Sequence, residues 1–234
     1  MLDNNATAAK RLLIITGPQG SGNHIFSRVF SMHPAVRGWE QLKDQYWVPS
    51  DQEPFAEYWV YPDRLTAEVF EGADYFLANV SVPFFYDGVR QGPNIYEVAV
   101  TAQTFGVEVV IGIVTRDQNI NQGQQQRVGG EVTMPRALQY YRDYLLPNFE
   151  CHFISNESFF LWNAEYISYL GRLLKFPVDA DKSQQWIETN PNRKYVTPVD
   201  DHWLDAEIRA GRRPFQQRDN LNSPAESAAA ARNL

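Results

Sequence analysis

The stretch RLLIITGPQGSGNHIFSRVFSMHP, residues 11–34, decides the fold class. It begins with a continuous apolar run at 11–16, which is typical of a strand buried on both faces of a parallel sheet. Three glycines follow, and after them the residues from Ile25 to Met32 place apolar side chains on one helical face, until Pro34 ends the helix. The stretch therefore predicts a strand, a glycine loop and a helix, which is the opening unit of an α/β fold.

The remainder of the chain repeats this alternation. Further strands are predicted at 75–80, 107–114 and 149–154, with a weaker one at 35–39. Helices are predicted at 93–105, at 135–146 and from a cap at Ser155 or Asn156 onward. Strands that alternate with helices predict an α/β three-layer sandwich with a central parallel sheet of about five strands.

Two stretches fit no regular element. Residues 44–63 are rich in aromatic side chains and prolines, and residues 117–133 are polar and rich in amide side chains. Long loops in α/β domains are often lids or binding loops. The aromatic stretch favours two interpretations equally: a wall of an acceptor pocket, or packing against the domain or a partner.

Composition restricts the class of protein. The 234 residues are 44% hydrophobic and 14% aromatic, which is enough for a buried core. We expect a flexible N-terminus at 1–10, one domain at 11–215 and a flexible tail at 216–234. The net charge of −7 disfavours a nucleic-acid partner. A lone Cys151 excludes an intrachain disulfide, and we expect no signal peptide and no membrane span, hence a cytoplasmic protein.

The glycine loop is the first candidate site. Gly17 and Gly22 frame a G-x-x-x-x-G pattern that, between a strand and a helix, turns backbone N–H groups toward an anion such as phosphate or sulfate. A Walker loop continues with Lys and Ser/Thr, where this chain has Asn23 and His24. An ordinary ATPase or GTPase is therefore disfavoured. The alternative is a glycine-rich turn that binds nothing.

Arg116 and His24 are the candidate charged and proton-transferring residues. Arg116 follows the 107–114 strand, and ligands of open α/β sheets bind outside the carboxyl ends of strands. We therefore expect the Arg116 side chain to face the same crevice as the glycine loop. The alternative is that Arg116 forms a surface ion pair with an acid such as Asp117. Histidine exchanges protons near neutral pH, so His24 is a candidate general base. Its alternative role is a hydrogen bond at a helix start.

Three segments together resemble the sulfotransferases that use 3′-phosphoadenosine 5′-phosphosulfate (PAPS). They are LLIITGPQGSGNHIFSRVFSMHPAV at 12–36, FGVEVVIGIVTRDQNI at 105–120 and NFECHFISNESFFLWNAEYISYLGRLLKFPVD at 148–179. The resemblance implies that PAPS, or its product PAP, is the cofactor and that no metal is required. It implies cofactor contacts from the following residues: Gly17, Gly20, Ser21, Gly22, Asn23, His24, Arg116 and Gln124. In it the loop backbone would hold the 5′-phosphosulfate and Arg116 the 3′-phosphate.

The chain departs from that family at several positions. Gly20 stands where the family has Lys or Arg, and Gln124 stands where it has Ser. A cation at the first position would stabilise charge on the leaving oxygen. Arg127, or the arginines at 209, 212 and 213, are the candidate replacements.

The resemblance implies transfer of a sulfuryl group to a hydroxyl or amine of a small-molecule or glycan acceptor, with His24 as the catalytic base. A first rival hypothesis is a degenerate nucleotide- or anion-binding interaction protein without chemistry. A second is a small-molecule or nucleotide kinase, which would need a Mg²⁺ site and a phosphate-binding lysine. Assembly into a homo-oligomer is left open.

Overall fold

The computed structural model describes residues 9–42, 48–129 and 131–183, and at 128 and 129 the backbone alone. Its strands are β1 (Arg11–Pro18), β2 (Val36–Arg37), β3 (Tyr75–Val82), β4 (Phe84–Tyr86), β5 (Val89–Gln91), β6 (Glu108–Thr115) and β7 (Glu150–Ser155). Its α-helices are α1 (Asn23–Ser31), α2 (Ile95–Thr104), α3 (Gln118–Gly129), α4 (Met134–Tyr140), α5 (Asn156–Leu173) and α6 (Ala180–Ser183). Short 3₁₀ turns lie at Ser50–Gln52, Pro62–Arg64 and Ala67–Phe70, and a π-helical turn at Tyr141–Leu145.

Five parallel strands form the central sheet in the order β2-β3-β1-β6-β7. β1 lies at the centre, and its Leu13 is in register with Leu77 of β3 on one side and Val110 of β6 on the other. The strands predicted at 11–16, 75–80 and 107–114 are thus the three inner strands. The predicted α/β fold with a five-stranded parallel sheet is confirmed.

The two faces of the sheet are buried under different helices. In β1, Leu12 and Ile14 belong to the core cluster that includes α2 and α4, whereas Leu13 and Ile15 belong to the cluster that includes α1 and α5. All four side chains are fully buried. Successive side chains of a strand point to opposite faces, so an uninterrupted apolar run requires covering layers on both sides. Each such side chain contributes about 1.5–3 kcal/mol on burial.

The helices begin where the local sequence allows it. α1 starts after Gly22, whose φ of 99° lies in the left-handed region that glycine adopts without steric cost. α5 starts after Ser155, whose Oγ accepts a hydrogen bond from the Ser158 N–H at 3.0 Å. One of the two predicted caps is thereby confirmed. Asn163 interrupts α5 with φ 50° and ψ −127°, which kinks the helix.

The prediction that residues 117–133 form no regular element is wrong, because most of this stretch is α3. Asp117 starts that helix: its Oδ1 accepts hydrogen bonds from the N–H groups of Asn119 and Ile120, both at 3.0 Å. Buried amide side chains, rather than an apolar stripe, hold the helix against the protein. The sequence analysis also missed the antiparallel hairpin of β4 and β5.

The aromatic stretch is described from residue 48 onward. Its Phe55 and Trp59 are buried in the core with Leu65 and Phe70, so these rings pack the domain. Tyr46 and Trp47 lie outside the described residues, as do residues 1–8 and 184–234. The latter range includes Arg209, Arg212, Arg213 and the predicted tail. Within the described chain, no helix has the length and apolar character that crossing a membrane requires.

Candidate functional site

The topology creates a crevice at the carboxyl ends of β1 and β3. The connection that leaves β1 packs α1 on one face of the sheet, while the connection that leaves β3 packs α2 on the other face. A crevice opens between two adjacent strands whose connections diverge in this way, and ligands of α/β proteins bind there. A cavity of about 480 Å³ lies at this place, with Gln19, Gly20 and His24 on the β1 side and Ser81 on the β3 side.

Three other segments complete the cavity. Residues 48–51 form one wall, Phe85 and Arg90 of the hairpin form a second, and Gln124 and Gln125 of α3 form a third. The cavity therefore combines an aromatic ring, amide groups and charges of both signs. Those features suit a ligand that carries both apolar and polar groups.

The glycine loop, with two glycines in the left-handed region, leads directly into α1. Gly20 has φ 82° and Gly22 has φ 99°, and the Ser21 N–H donates to the Pro18 carbonyl at 3.0 Å to close a tight turn. No side chain caps α1 at Gly22. The first N–H groups of a helix have no carbonyl partner within the helix, and they carry the positive end of its dipole. A phosphate or sulfate is a suitable partner for these groups.

Ser21 and Asn23 hold the shape of the loop. The Ser21 hydroxyl donates to Asn23 Oδ1 at 2.5 Å, and Asn23 Nδ2 donates to the Val80 carbonyl at 3.3 Å and to Ser81 Oγ at 3.2 Å. A Cβ at Gly17 would lie 2.6 Å from Asn23 Oδ1. Both polar side chains are buried, and neither is among the described residues that line the cavity. Their observed contacts tie the loop to β3.

His24 belongs to a buried chain of polar groups at the cavity. Its Nε2 lies 2.7 Å from Glu53 Oε1, and Glu53 Oε2 accepts from Asn79 Nδ2 at 2.6 Å. The Glu53 side chain is 4% exposed, whereas that of His24 is 27% exposed. Asn79 Oδ1 is buried and has no hydrogen-bond partner among the described residues. The chain of contacts therefore runs from the interior to the cavity and ends at His24.

The sequence analysis did not identify Glu53 or Asn79. Glu53 lies in an irregular segment, 29 residues from His24 and 26 residues from Asn79 along the chain, so no spacing connects them. Asn79 offered one signal, since it is a lone amide within the apolar run YFLANV.

Arg116 lies against the glycine loop. Its Nη1 donates to the Gly20 carbonyl at 2.7 Å and to Gln124 Oε1 at 2.6 Å. Arg116 borders a smaller cavity of about 80 Å³, while Gln124 and Gly20 border the large one. Tyr141 also borders the small cavity, and burial raises the pKa of its hydroxyl far above the ordinary value, so it stays neutral.

Gln125 joins α3 to the loop from the other side. Its Nε2 donates to the Gln19 carbonyl at 2.7 Å, and its Oε1 accepts from the N–H groups of Thr133 at 2.9 Å and Met134 at 3.2 Å. The side chain is buried and engages both ends of its amide. This contact fixes the position of the loop relative to α3 and α4, and the sequence analysis did not find it.

The charges at the cavity are few. Arg90 donates to Glu131 at 2.8 Å and lies 5.3 Å from the centre of the Phe85 ring. Among the described lining residues, Arg90 is the one arginine, and Asp51 is the one carboxylate. Arg127 is exposed on α3. The described residues contain no group of three or more His, Cys, Asp or Glu that could hold a metal ion.

No protein-family model matches the sequence, and no curated protein matches it either. Among solved structures, the mouse sulfotransferase SULT7A1 complexed with PAP is similar to this chain, with a TM-score of 0.42 and 10% sequence identity. The similarity covers 79% of this chain and 66% of the mouse protein.

Proposed function

We propose that the chain binds PAPS at the glycine loop and transfers its sulfuryl group to a hydroxyl or amine of a small-molecule or glycan acceptor. One observation carries the proposal: Gly20 of the loop and His24 line the same cavity of about 480 Å³. An anion held by the loop and an acceptor in the cavity would therefore meet next to a residue that can take up a proton.

In this proposal, backbone N–H groups of the glycine loop make the main contacts to the nucleotide. The N–H groups of Gly20, Gly22, Asn23 and His24 would bind the 5′-phosphosulfate, because the left-handed glycines leave the loop open to close approach, while the Ser21 N–H stays on the Pro18 carbonyl. Ser21 and Asn23 would serve by keeping that loop in shape. Arg116 and Gln124, which are in contact beside Gly20, would hold the 3′-phosphate. A guanidinium suits phosphate because its donors form a planar fork.

The transfer step is an in-line displacement at sulfur. The acceptor oxygen forms a bond to sulfur while its proton passes to His24. The bond between sulfur and the 5′-phosphate oxygen breaks, and its electron pair leaves on PAP. Positioning of the two reactants and stabilisation of the leaving oxygen by loop N–H groups supply the rate enhancement.

A second candidate function is nucleotide or anion binding without chemistry. The observation that favours it is Gly20, which places no cation at the leaving oxygen, together with the contact of Arg116 to the Gly20 carbonyl. On this alternative the loop would bind PAP or another anion, and the cavity would receive no acceptor.

The test begins with calorimetric titration of adenosine 3′,5′-bisphosphate and, separately, of ATP with Mg²⁺. Micromolar binding of the bisphosphate alone is the expected result, and binding of ATP with Mg²⁺ alone would overturn the proposal in favour of a kinase. Sulfuryl transfer is then measured with ³⁵S-labelled PAPS against panels of phenols, alcohols, amines and glycans. Bisphosphate binding without transfer to any panel would support the binding-only alternative.

A further inference from the structure

The geometry points to Glu53 as the positioning residue of the site: held by Asn79, it orients the His24 ring and stabilises that ring when the acceptor proton arrives. This inference deepens the proposed function, since it rests on His24 being the base. It adds two residues, Glu53 and Asn79, to which neither the sequence nor the comparisons assign a role.

The burial of Glu53 distinguishes it from the other paired carboxylates. Glu57, four residues later, pairs with Arg64 at 2.5 Å, but the side chains of that pair are 47% and 56% exposed. Glu53 is 4% exposed and has one partner for each carboxylate oxygen. A buried carboxylate is stable only where hydrogen bonds replace its lost water. Its place between His24 and Asn79 is therefore specific, whereas the Glu57 pair is an ordinary surface contact.

Asn79 holds Glu53 in position at the cost of leaving one of its own buried polar atoms without a hydrogen bond among the described residues. The residue lies in the middle of β3, in an otherwise apolar run, and its Oδ1 is buried without a partner among the described residues. A leucine of similar size would avoid that unsatisfied oxygen. The amide Nδ2 donates to Glu53 at 2.6 Å, so the contact that asparagine provides and leucine would not is the one to the carboxylate. A buried unsatisfied group in a folded protein calls for such a reason.

The carboxylate fixes which ring nitrogen is basic. An ionised carboxylate only accepts hydrogen bonds, so the neutral His24 ring carries its proton on Nε2, toward Glu53. The lone pair then resides on Nδ1, which is the nitrogen that takes the acceptor proton. The ring of the fully buried Trp39 packs beside the His24 ring, with the two ring centroids 5.5 Å apart. Once Nδ1 is protonated, the nearby negative charge of Glu53 stabilises the imidazolium.

The first test detects the hydrogen bond between His24 and Glu53 directly and needs no activity assay. In proton NMR the Nε2–H of His24 should appear far downfield and exchange slowly, because it is bonded to a buried carboxylate. His24→Gln assigns the signal among the four histidines. The signal should vanish in Glu53→Met, which removes the acceptor at similar volume, and should persist in Glu57→Gln, the matched exposed control.

A second variant covers the case in which Glu53→Met fails to fold, which circular dichroism would reveal. Asn79→Leu leaves Glu53 in place but removes its other partner, so the His24 proton should exchange at least about 10-fold faster. If the wild-type protein lacks the downfield signal, or if it is unchanged in both variants, the inference is overturned.

The kinetic test uses PAPS and an acceptor found in the transfer assay. Loss of a general base costs about 10²–10⁴-fold, so His24→Gln should lower kcat by that factor. Glu53→Gln should lower kcat by at least about 10-fold while the Kd for adenosine 3′,5′-bisphosphate stays unchanged, because Glu53 acts through the base. The double variant should be no slower than His24→Gln alone, since residues that act as a unit are not additive.

The positioning role of Glu53 and the proposed sulfuryl transfer are contradicted by different measurements. Additive losses in the double variant would overturn the positioning role, even with PAPS-dependent transfer established. Absence of bisphosphate binding would overturn the proposed function, and the ring proton would still report on the pairing of His24 with Glu53.

Discussion

Arg116 donates a hydrogen bond from Nη1 to the carbonyl oxygen of Gly20 at 2.7 Å, so the residue after β6 is tied directly to the glycine loop. A lysine or arginine at position 20 would place a positive charge in the loop itself. Here the positive charge comes from the neighbouring strand, and Gln124 accepts from the same nitrogen at 2.6 Å. This geometry gives Arg116 a role as a scaffold for the loop, whereas its role as a ligand for the 3′-phosphate belongs to the proposed function; experiment can separate the two.

Arg116→Ala should weaken the binding of adenosine 3′,5′-bisphosphate by about 10–100-fold, since a hydrogen bond to a charged group contributes about 1.5–3 kcal/mol. The affinity for adenosine 5′-phosphate, which lacks the 3′-phosphate, should fall much less. Calorimetric titration of both nucleotides into both proteins checks this. Equal losses would assign Arg116 to the scaffold role alone, and Arg116→Lys should restore part of the difference because it restores the charge without the fork.

Gly22→Ala should lower the free energy of unfolding by more than the cost of placing alanine in the left-handed region. The added Cβ would meet Asn156 Nδ2, in addition to the strain of φ 99°. Gly72→Ala is the matched control, because Gly72 has φ 76° and nothing within 4 Å of its Cβ position. Strain costs about 1–2 kcal/mol in each variant. Urea unfolding should show a larger loss for Gly22→Ala; equal losses would mean that Asn156 moves aside without cost.

The parts of the fold that the sequence predicts are those in which apolar burial dominates. β1, β3 and β6 are largely apolar runs, and such runs are stable only where helices cover both faces of a sheet. Placement of the glycine loop follows from the strand before it and the helix after it. These local patterns require no knowledge of distant partners.

The parts that the sequence analysis missed depend on polar contacts between distant residues. α3 is held by Asp117 at its start and by the buried Gln125, neither of which appears in a count of apolar positions. The hairpin had a usable signal, because Asp87 and Gly88, with φ 49° and 74°, form the two-residue turn that Asp-Gly favours. Glu53 had none, since its partners lie on other elements.

Burial raises the pKa of the Cys151 thiol to about 11, and the nearby charge of Glu150 adds to the shift. The reactive form is the thiolate. At pH 8 we therefore expect iodoacetamide to modify Cys151 about 100-fold more slowly in the folded protein than in the urea-unfolded chain. A folded protein that reacts as fast as the unfolded chain would contradict the burial of this thiol.

The same shift makes stability depend on pH. Because the folded-state pKa exceeds the unfolded one, the stabilisation is fully present below about pH 9 and is lost as the pH rises toward about 11. Between pH 9 and 11 the urea midpoint of the wild type should therefore fall relative to that of Cys151→Ser, which does not titrate in this range. Parallel curves would show that the thiol contributes nothing to this dependence.

Gln125→Glu should loosen the glycine loop while sparing α4. The carboxylate can still accept from the N–H groups of Thr133 and Met134, but it has no donor for the Gln19 carbonyl and places one oxygen against another. The expected loss of unfolding free energy is about 1–3 kcal/mol.

Gln126→Glu, at the next and exposed position, adds the same charge without touching the loop. Bisphosphate affinity should fall in Gln125→Glu and stay near wild type in Gln126→Glu. Equal falls would show that the added negative charge, and not the lost hydrogen bond, weakens binding, because both variants change the charge by the same amount.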